Sequence, residues 1–108
     1  MNYQLRVRPQ VESDIDAAAQ WYEGQQPGLG IEFVTEIHEA IGRLTVNPLR
    51  SPIRHRLYPL RWVFPNRFPY RIVFLVEETV ITILCVVHAK RHDRIWKEHL
   101  ARPDFPPE

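Results

Sequence analysis

Apolar and polar residues alternate with period two at the start of the chain and then change to a helical period. Residues Tyr3–Arg8 alternate strictly, which predicts a half-buried strand that ends at Pro9. The next stretch has apolar residues at helical spacing and a capping-box-like pair, Ser13 and Asp16, near its start. It predicts a first amphipathic helix with an apolar stripe made of Val11, Ile15, Ala18, Ala19 and Tyr22.

A proline–glycine loop separates this helix from a second one. Residues 25–30, Gln-Gln-Pro-Gly-Leu-Gly, break the first helix. An apolar stripe then runs from Phe33 to Leu44 with glutamates on the opposite side, and Asn47-Pro48 ends it. Two amphipathic helices joined by so short a loop are expected to pack antiparallel, as a helical hairpin.

The second half of the chain has the pattern of a β-sheet. Three runs rich in Val, Ile, Phe and Tyr are separated by short turns and predict an antiparallel meander: Leu57–Phe64, Tyr70–Val76 and Val80–His88. Residues Val80–Val87 are apolar on both faces, as expected for an interior strand that is covered on each side. We therefore expect this strand to lie antiparallel to Tyr70–Val76, with the first strand beside it at the edge of the sheet.

The C-terminal residues predict one more short element and a tail. His92–Leu100 has the spacing of a short amphipathic helix, and prolines keep residues 102–108 out of helix and sheet. The order β-α-α-β-β-β-α predicts an α+β domain, with a helical hairpin packed on one mainly antiparallel sheet. Residues 1–101 are expected to form this single domain, and 102–108 a proline-rich tail.

Charge is distributed unevenly along the chain, although its net value is only +1. Residues 1–46 carry three arginines and seven carboxylates, a balance of −4, and residues 47–108 carry eleven Lys or Arg and six carboxylates, a balance of +5. Between Arg50 and Arg71 there are six arginines and His55, with no acid. This basic stretch favours an anionic partner, and the alternative is a solvated face of the sheet.

Composition narrows the class of protein. No apolar run approaches the ~18 residues of a membrane-spanning helix, and the first residues lack the apolar core of a signal peptide. We therefore expect a cytoplasmic protein without a membrane partner. The single cysteine, Cys85, excludes an internal disulfide and a multi-cysteine zinc site, and we expect neither metal nor cofactor.

Three local patterns, in this order, resemble the RelE/ParE superfamily of bacterial toxins. The first is Ala18–Gly30, followed by Val34 in the second helix. The second is Arg67–Ile72, where a Phe-Pro-Tyr step enters the middle strand, and the third is Val86–Arg91, with Trp96 five residues after the arginine. The patterns cover nearly the whole chain, and the predicted order of elements agrees with the family fold. The resemblance implies a growth-inhibiting toxin of a type II toxin–antitoxin module, of the kind that stabilises plasmids.

The resemblance leaves two activities open. RelE-like members are ribosome-dependent endoribonucleases that cut mRNA, whereas ParE-like members inhibit DNA gyrase and cleave nothing themselves. The ribonuclease branch usually places a tyrosine near its C-terminus, and no tyrosine follows Arg91. The spacing of His88, Arg91 and Trp96 resembles the ParE-like branch more closely. We therefore expect gyrase inhibition and no enzymatic activity, with a metal-free endoribonuclease as the alternative.

A metal-free ribonuclease would need a base, an acid and cations around one phosphate. Histidine titrates near neutrality, so His88 and His55 are candidate bases. Because adjacent strands bring residues of like parity to one face, we expect the arginines of this region to crowd together on one face of the sheet. The catalytic candidates are His88, Arg61, Arg71 and Arg91.

Inhibition by binding requires only contact surfaces. The family resemblance implies a target surface on the last strand and the C-terminal segment, where the candidates are Lys90, Arg91, Arg94, Trp96 and Lys97. Arg67, which precedes the middle strand, is a further candidate. A cognate antitoxin is expected to dock, as a helix or an extended chain, in the groove between hairpin and sheet. Its predicted contacts are apolar residues of the hairpin: Trp21, Tyr22, Leu29, Phe33 and Ile37. Operator DNA would be reached only through the antitoxin.

Structural roles compete with these assignments. His88 can be a hydrogen-bonded structural histidine, and Trp21, Trp62 and Trp96 can be core anchors. A generic nucleic-acid-binding module would also use a basic sheet with aromatic residues. Such a module does not explain the acidic helical hairpin.

Overall fold

The structure, a computed structural model, describes residues 2–54 and 58–91. Its elements are β1 (Gln4–Val7), α1 (Pro9–Gln25), α2 (Leu29–Val46), β2 (Arg61–Val63), β3 (Tyr70–Glu77) and β4 (Val80–His88), with 3-10 turns at Pro48–Arg50 and Ala89–Arg91. The strands form one sheet in the order β1-β4-β3-β2, in which the β1–β4 pair is parallel and the others are antiparallel. The predicted α+β class and the order β-α-α-β-β-β are confirmed.

Two predicted segments lie outside the described residues. They are the C-terminal helix at His92–Leu100 and the proline-rich tail at 102–108. Within the described part of the chain, no helix is both long and apolar enough to cross a membrane.

The central strand β4 lies between β1 and β3 and is buried on both faces, as its pattern predicts. One face packs against the hairpin, and the other belongs to a second apolar cluster on the far side of the sheet. The hairpin side is formed by Ile81, Ile83 and Val86, and the far side by Leu84, Cys85 and Val87. Each of these six side chains is at most 3% exposed, so the hydrophobic effect holds β4 from both directions.

A β-bulge changes which residues of β4 face the hairpin. Phe74 pairs with Ile83, but Val73 pairs with Cys85, which leaves one extra residue of β4 between the two pairs. Odd-numbered residues face the hairpin before the bulge, and even-numbered residues face it afterwards, because an inserted residue reverses the alternation. The bulge therefore turns His88 toward the hairpin side of the sheet.

The edge strand β2 is shorter than predicted. It spans three residues, Arg61–Val63, whereas the sequence predicts Leu57–Phe64. The backbone before it is engaged locally, since Arg54 N–H donates to the Leu60 carbonyl and Leu60 N–H to the Tyr58 carbonyl, both at 2.7 Å. These residues therefore hydrogen-bond locally, and the pairing with β3 begins only at Arg61.

The other edge strand, β1, is exposed where its pattern predicts half-burial. All four of its residues are exposed, and Leu5 and Val7 keep 40% and 46% of their surface. The reason is its position, since β1 pairs only with β4 at the open edge of the sheet.

Helix α1 begins earlier than its capping signal predicts. Pro9 is its first residue, which suits proline because the first helical N–H needs no acceptor and φ is already helical. Ser13 and Asp16 consequently lie inside the helix, so the predicted capping box is wrong.

The turn between the helices is held by a carboxylate from α1. Gly28 precedes α2 with φ 90°, a left-handed conformation that favours glycine. The Glu23 carboxylate accepts hydrogen bonds from the N–H groups of Gly28, at 3.0 and 3.1 Å, and Gly30, at 3.0 Å. It therefore caps α2 in place of the N-cap side chain that glycine lacks. These two backbone hydrogen bonds lower the pKa of Glu23 below its ordinary value.

The two helices approach each other closely at Gly30. A Cβ atom at this position would lie 2.7 Å from the Ala19 carbonyl oxygen, which belongs to the backbone of α1 and cannot move aside as a side chain would. Gly42, in the same helix, has no atom within 4 Å of the corresponding point.

We predict opposite effects of alanine at these two glycines. Gly42→Ala should raise the free energy of unfolding by about 0.5–1 kcal/mol, because alanine has the better helix propensity. Gly30→Ala should lower it by roughly 1–3 kcal/mol, the usual range for overpacking. Urea unfolding of both variants and the wild type measures the two values. A stabilised Gly30→Ala variant would show that the helices do not need this close approach.

Candidate functional site

A cleft of about 780 Å³ lies between α1 and the end of the sheet where β3 begins and β4 ends. We call it the hairpin cleft. It is lined by Asp14, Ala17, Ala18, Trp21, Tyr22, Pro69, Tyr70, Val86, Val87, His88 and Lys90. The cleft thus combines aromatic and small apolar side chains with one carboxylate and one lysine.

A chain of aromatic contacts, most of them edge-to-face, connects the hairpin cleft to the core. The Tyr22 ring lies 4.7 Å from that of Phe68 and 5.3 Å from that of Phe33, and the Tyr70 ring lies 5.1 Å from Phe33 and 5.2 Å from His88. Buried rings therefore fix the two tyrosines from beneath. Burial, and secondly the neighbouring Tyr70, raises the pKa of Tyr22 above its ordinary value.

One wall of the cleft is an open edge of β4. Pairing with β1 ends at Ile83, whereas β4 continues to His88. On this side the Val86 N–H donates to Asp14 Oδ2 at 3.0 Å. A side chain of α1 thus takes the place that a neighbouring strand would occupy.

The backbone N–H of His88 points to the same open side. Ala89 N–H donates to the Pro69 carbonyl at 2.8 Å. Hydrogen-bonded and non-hydrogen-bonded pairs alternate along an antiparallel ladder, so the next pair, Tyr70 and His88, exchanges no hydrogen bonds. The His88 N–H is therefore directed away from β3, and it has no partner among the described residues. An edge of this kind can accept an added strand.

The structure divides the predicted antitoxin contacts into two groups. Trp21 is 60% exposed at the rim of the hairpin cleft, so it is no core anchor, and Tyr22 and Leu29 are half-buried. Phe33 and Ile37 are 0% exposed, and their assignment as residual apolar surface is wrong. Helix α2 packs directly on the sheet, so its apolar stripe belongs to the core.

The predicted arginine face is not formed. Arg67, in the loop before β3, is bound to α2: its Nε donates to Glu36, its Nη2 donates to Glu32 at 2.9 Å, and its backbone N–H donates to Glu36 at 3.0 Å. The hydrogen bonds to Glu36 and then to Glu32 raise the pKa of Arg67 above its ordinary value. Arg67 therefore ties the loop to the hairpin.

The other two arginines lie on opposite faces of the sheet. Arg61 pairs with Phe74, a hairpin-side residue, and its guanidinium donates to the Ser51 carbonyl. Arg71 lies on the far side, over the rings of Trp62 at 5.0 Å and Phe64 at 5.8 Å. Trp62 is half-buried there against the second apolar cluster, as a core role predicts.

His88 is separated from these arginines. Its Nδ1 accepts a hydrogen bond from Lys90 N–H at 3.0 Å, and its ring faces Tyr70 on the hairpin side. Only the backbone of Arg91 is described, and His55, Arg94, Trp96 and Lys97 lie outside the described residues. Across residues 2–54 and 58–91, no three His, Cys, Asp or Glu side chains are grouped to hold a metal ion.

A second cleft, of about 390 Å³, lies on the opposite flank of the hairpin. We call it the α2–β2 cleft. It is lined by Ala40, Arg43, Leu44, Asn47, Arg50, Ser51, Pro52, Val63, Phe64 and Asn66. It contains two arginines and no carboxylate.

Three acids with defined structural roles were not singled out by the sequence. The sequence pattern indicates only that the two helices carry an acidic surface, to which Asp14, Glu23 and Glu36 belong. A signal exists for Glu23, which lies five residues before Gly28, the glycine that precedes α2. Asp14 and Glu36 bind residues 72 and 31 positions away, and no local pattern reveals such partners.

The structure is a small α+β domain with a cleft on each flank of its helical hairpin, and comparison with known proteins places it in a family. The model of the ParE toxin of type II toxin–antitoxin systems, parDE, matches residues 5–93. This chain therefore belongs to the ParE toxin family, within the RelE/ParE superfamily. It is the toxin component of a type II toxin–antitoxin system. No curated protein matches the sequence.

Two solved structures share this fold. A chain of the chromosomal ParDE toxin–antitoxin system of P. aeruginosa aligns with a TM-score of 0.69 and 23% identity, covering 80% of this chain and 95% of that one. A chain of the toxin–antitoxin complex RelBE2 of Mycobacterium tuberculosis aligns with a TM-score of 0.53 and 23% identity, covering 82% and 99%. At this identity the likeness establishes the fold alone.

Proposed function

We propose that this toxin acts by binding DNA gyrase rather than by cleaving RNA, and that an antitoxin segment neutralises it by docking in the hairpin cleft. One observation supports binding rather than RNA cleavage. Among the described side chains, His88 does not meet the candidate cations. Arg71 lies on the opposite face of the sheet, Arg61 shares the hairpin face but is bound to the Ser51 carbonyl, and Arg67 is bound to two glutamates.

Cleavage of RNA requires these groups to meet at one phosphate. His88 lies in the hairpin cleft, whereas Arg71 is on the far side of the sheet and Arg67 neutralises two carboxylates of α2. Bringing His88 and Arg71 together would require the alternation of β4 to reverse. The arrangement supports inhibition through contact surfaces, for which the C-terminal segment 88–97 remains the predicted target contact.

The features of the hairpin cleft support the proposal that an antitoxin segment docks there. The cleft offers an exposed indole at Trp21, fixed aromatic walls, and, on an open strand edge, the N–H of His88, which has no partner within residues 2–54 and 58–91. Extended peptides bind such edges through main-chain hydrogen bonds, and apolar pockets select their side chains. The ParDE and RelBE2 structures are toxin–antitoxin assemblies, which supports a cognate antitoxin for this chain as well. We propose that its C-terminal segment adds a strand to β4 here.

We predict that the hairpin cleft governs antitoxin affinity. Trp21→Ala should weaken binding of the adjacent open reading frame's product by at least about 1 kcal/mol, because an exposed tryptophan beside a cleft is a typical hot spot. His88→Pro should weaken it further than His88→Ala, because both remove the imidazole and only proline removes the N–H. Titration calorimetry measures these affinities.

The matched control for tryptophan is Ile31→Ala, which truncates a side chain that is 74% exposed and outside the cleft. Equal affinities of the Trp21→Ala and Ile31→Ala toxins would remove the cleft from the interface. Equal affinities of the two His88 variants would exclude strand addition at this edge.

We predict that toxicity does not depend on a titrating His88. Glutamine keeps a hydrogen-bonding side chain at this position but cannot act as an acid or base near neutrality. The wild type and His88→Gln should therefore inhibit purified gyrase supercoiling with similar concentration dependence, and neither should cut ribosome-bound mRNA. For a ribonuclease, the substitution would instead slow cleavage by about 10²–10⁴-fold. Cleavage that collapses in the variant, with supercoiling untouched, would contradict the proposal.

A further inference from the structure

We infer that the α2–β2 cleft and the apolar segment beside it form a second contact surface of the toxin for its target, and that this surface fits an acidic patch on a protein. We call it the α2–β2 surface and define it by Arg43, Val46, Leu49, Arg50, Ile53 and Phe64. The inference rests on the proposed function, because it assumes a toxin that acts by binding a protein.

The first observation is exposed apolar area concentrated in one short stretch. Val46, Leu49 and Ile53 keep 80%, 54% and 52% of their surface, and Phe64, which lines the cleft, keeps 47%. The residues between them, from Asn47 to Pro52, contribute further side chains to the cleft wall. Scattered exposed apolar residues need no explanation, but a group around a cleft indicates an interaction site.

The second observation is uncompensated positive charge. The sequence from residue 40 to residue 76 contains seven arginines and neither Asp nor Glu. Several of these arginines are engaged within the protein, such as Arg61 with the Ser51 carbonyl and Arg67 with two glutamates. Arg43 and Arg50 are exposed at the cleft and form no ion pair within the described residues. Their charge is therefore available to an anionic partner.

The combination of groups favours a protein over a nucleic acid. Three of the four exposed apolar side chains are aliphatic, and phosphates and sugars offer no apolar complement to them. Nucleic-acid surfaces instead use aromatic rings that stack on bases, and Phe64 is the one exposed ring in this group. An apolar centre with arginines around it is the composition of a protein interface. Carboxylates on the partner would complement Arg43 and Arg50.

The position of the surface separates it from antitoxin binding. The hairpin cleft flanks α1, whereas the α2–β2 cleft flanks α2, and packed helix axes lie about 8–10 Å apart. An antitoxin segment in the hairpin cleft leaves the α2–β2 surface uncovered, while its folded remainder would obstruct the approach of a large target. Substitutions on this surface should therefore affect target inhibition and spare antitoxin binding.

The test uses full-length toxin with two surface variants, Arg43→Glu/Arg50→Glu and Leu49→Ser. Their controls are at exposed positions elsewhere: Arg6→Glu in β1, which matches the charge change of Arg50→Glu alone, and Ile31→Ser in α2, which matches Leu49→Ser. The readouts are the concentration that halves gyrase supercoiling, and the affinity for the product of the adjacent open reading frame, which also reports folding. Because all these side chains are exposed, the fold should survive each change, and Arg50→Glu alone provides a milder variant.

We expect both surface variants to need at least about tenfold more protein for half-inhibition, with unchanged antitoxin affinity, and the controls to match the wild type. Surface variants that inhibit as well as the wild type would overturn the inference. A loss of inhibition that parallels lost binding of a fluorescent single-stranded oligonucleotide would also overturn it, in favour of a nucleic-acid site.

A wild type that fails to inhibit gyrase would refute the proposed function separately. Growth arrest on expression in cells then decides this inference with the same four variants. Arrest that is lost only in the two surface variants supports the target surface, and arrest that persists in them overturns it.

Discussion

The burial of β4 on both faces is the constraint on which the rest of the structure depends. Both neighbouring strands pair with it, and α1 packs across it. A bulge after Ile83 adds one residue, so that apolar side chains reach the hairpin on one side and the second cluster on the other. The same extra residue sends His88 to the hairpin face. Without it, the alternation would place His88 on the face that carries Arg71.

This separation of His88 from Arg71 links the packing of the sheet to the proposed action of the toxin. The register that buries β4 on both faces places His88 and Arg71 on opposite faces of the sheet, and Glu32 and Glu36 hold Arg67 in a loop. What remains accessible is a pair of clefts on the two flanks of the hairpin, one aromatic and one basic. Such an arrangement suits recognition of other proteins, with one partner on each flank of the hairpin.

The sequence predicts the elements well where one periodicity dominates. The two helices and the double-faced strand β4 have long, regular patterns, and the structure confirms them. The bulge escapes prediction because residues 83–87 are all apolar, so either register satisfies the pattern. The prediction that Phe33 and Ile37 are surface contacts is wrong because periodicity identifies an apolar stripe but not what covers it. The pairing of Arg67 with α2 depends on tertiary contacts that no local spacing encodes.

The response of cells in the first minutes after expression tests most directly whether the toxin binds or cleaves. Incorporation of labelled amino acids and a reporter of the DNA-damage response can be followed in the same culture, with the His88→Gln toxin in parallel. A gyrase inhibitor should induce the damage response and filamentation while translation continues, and the substitution should change neither. An abrupt stop of translation with cut mRNA, abolished by His88→Gln, would contradict the account.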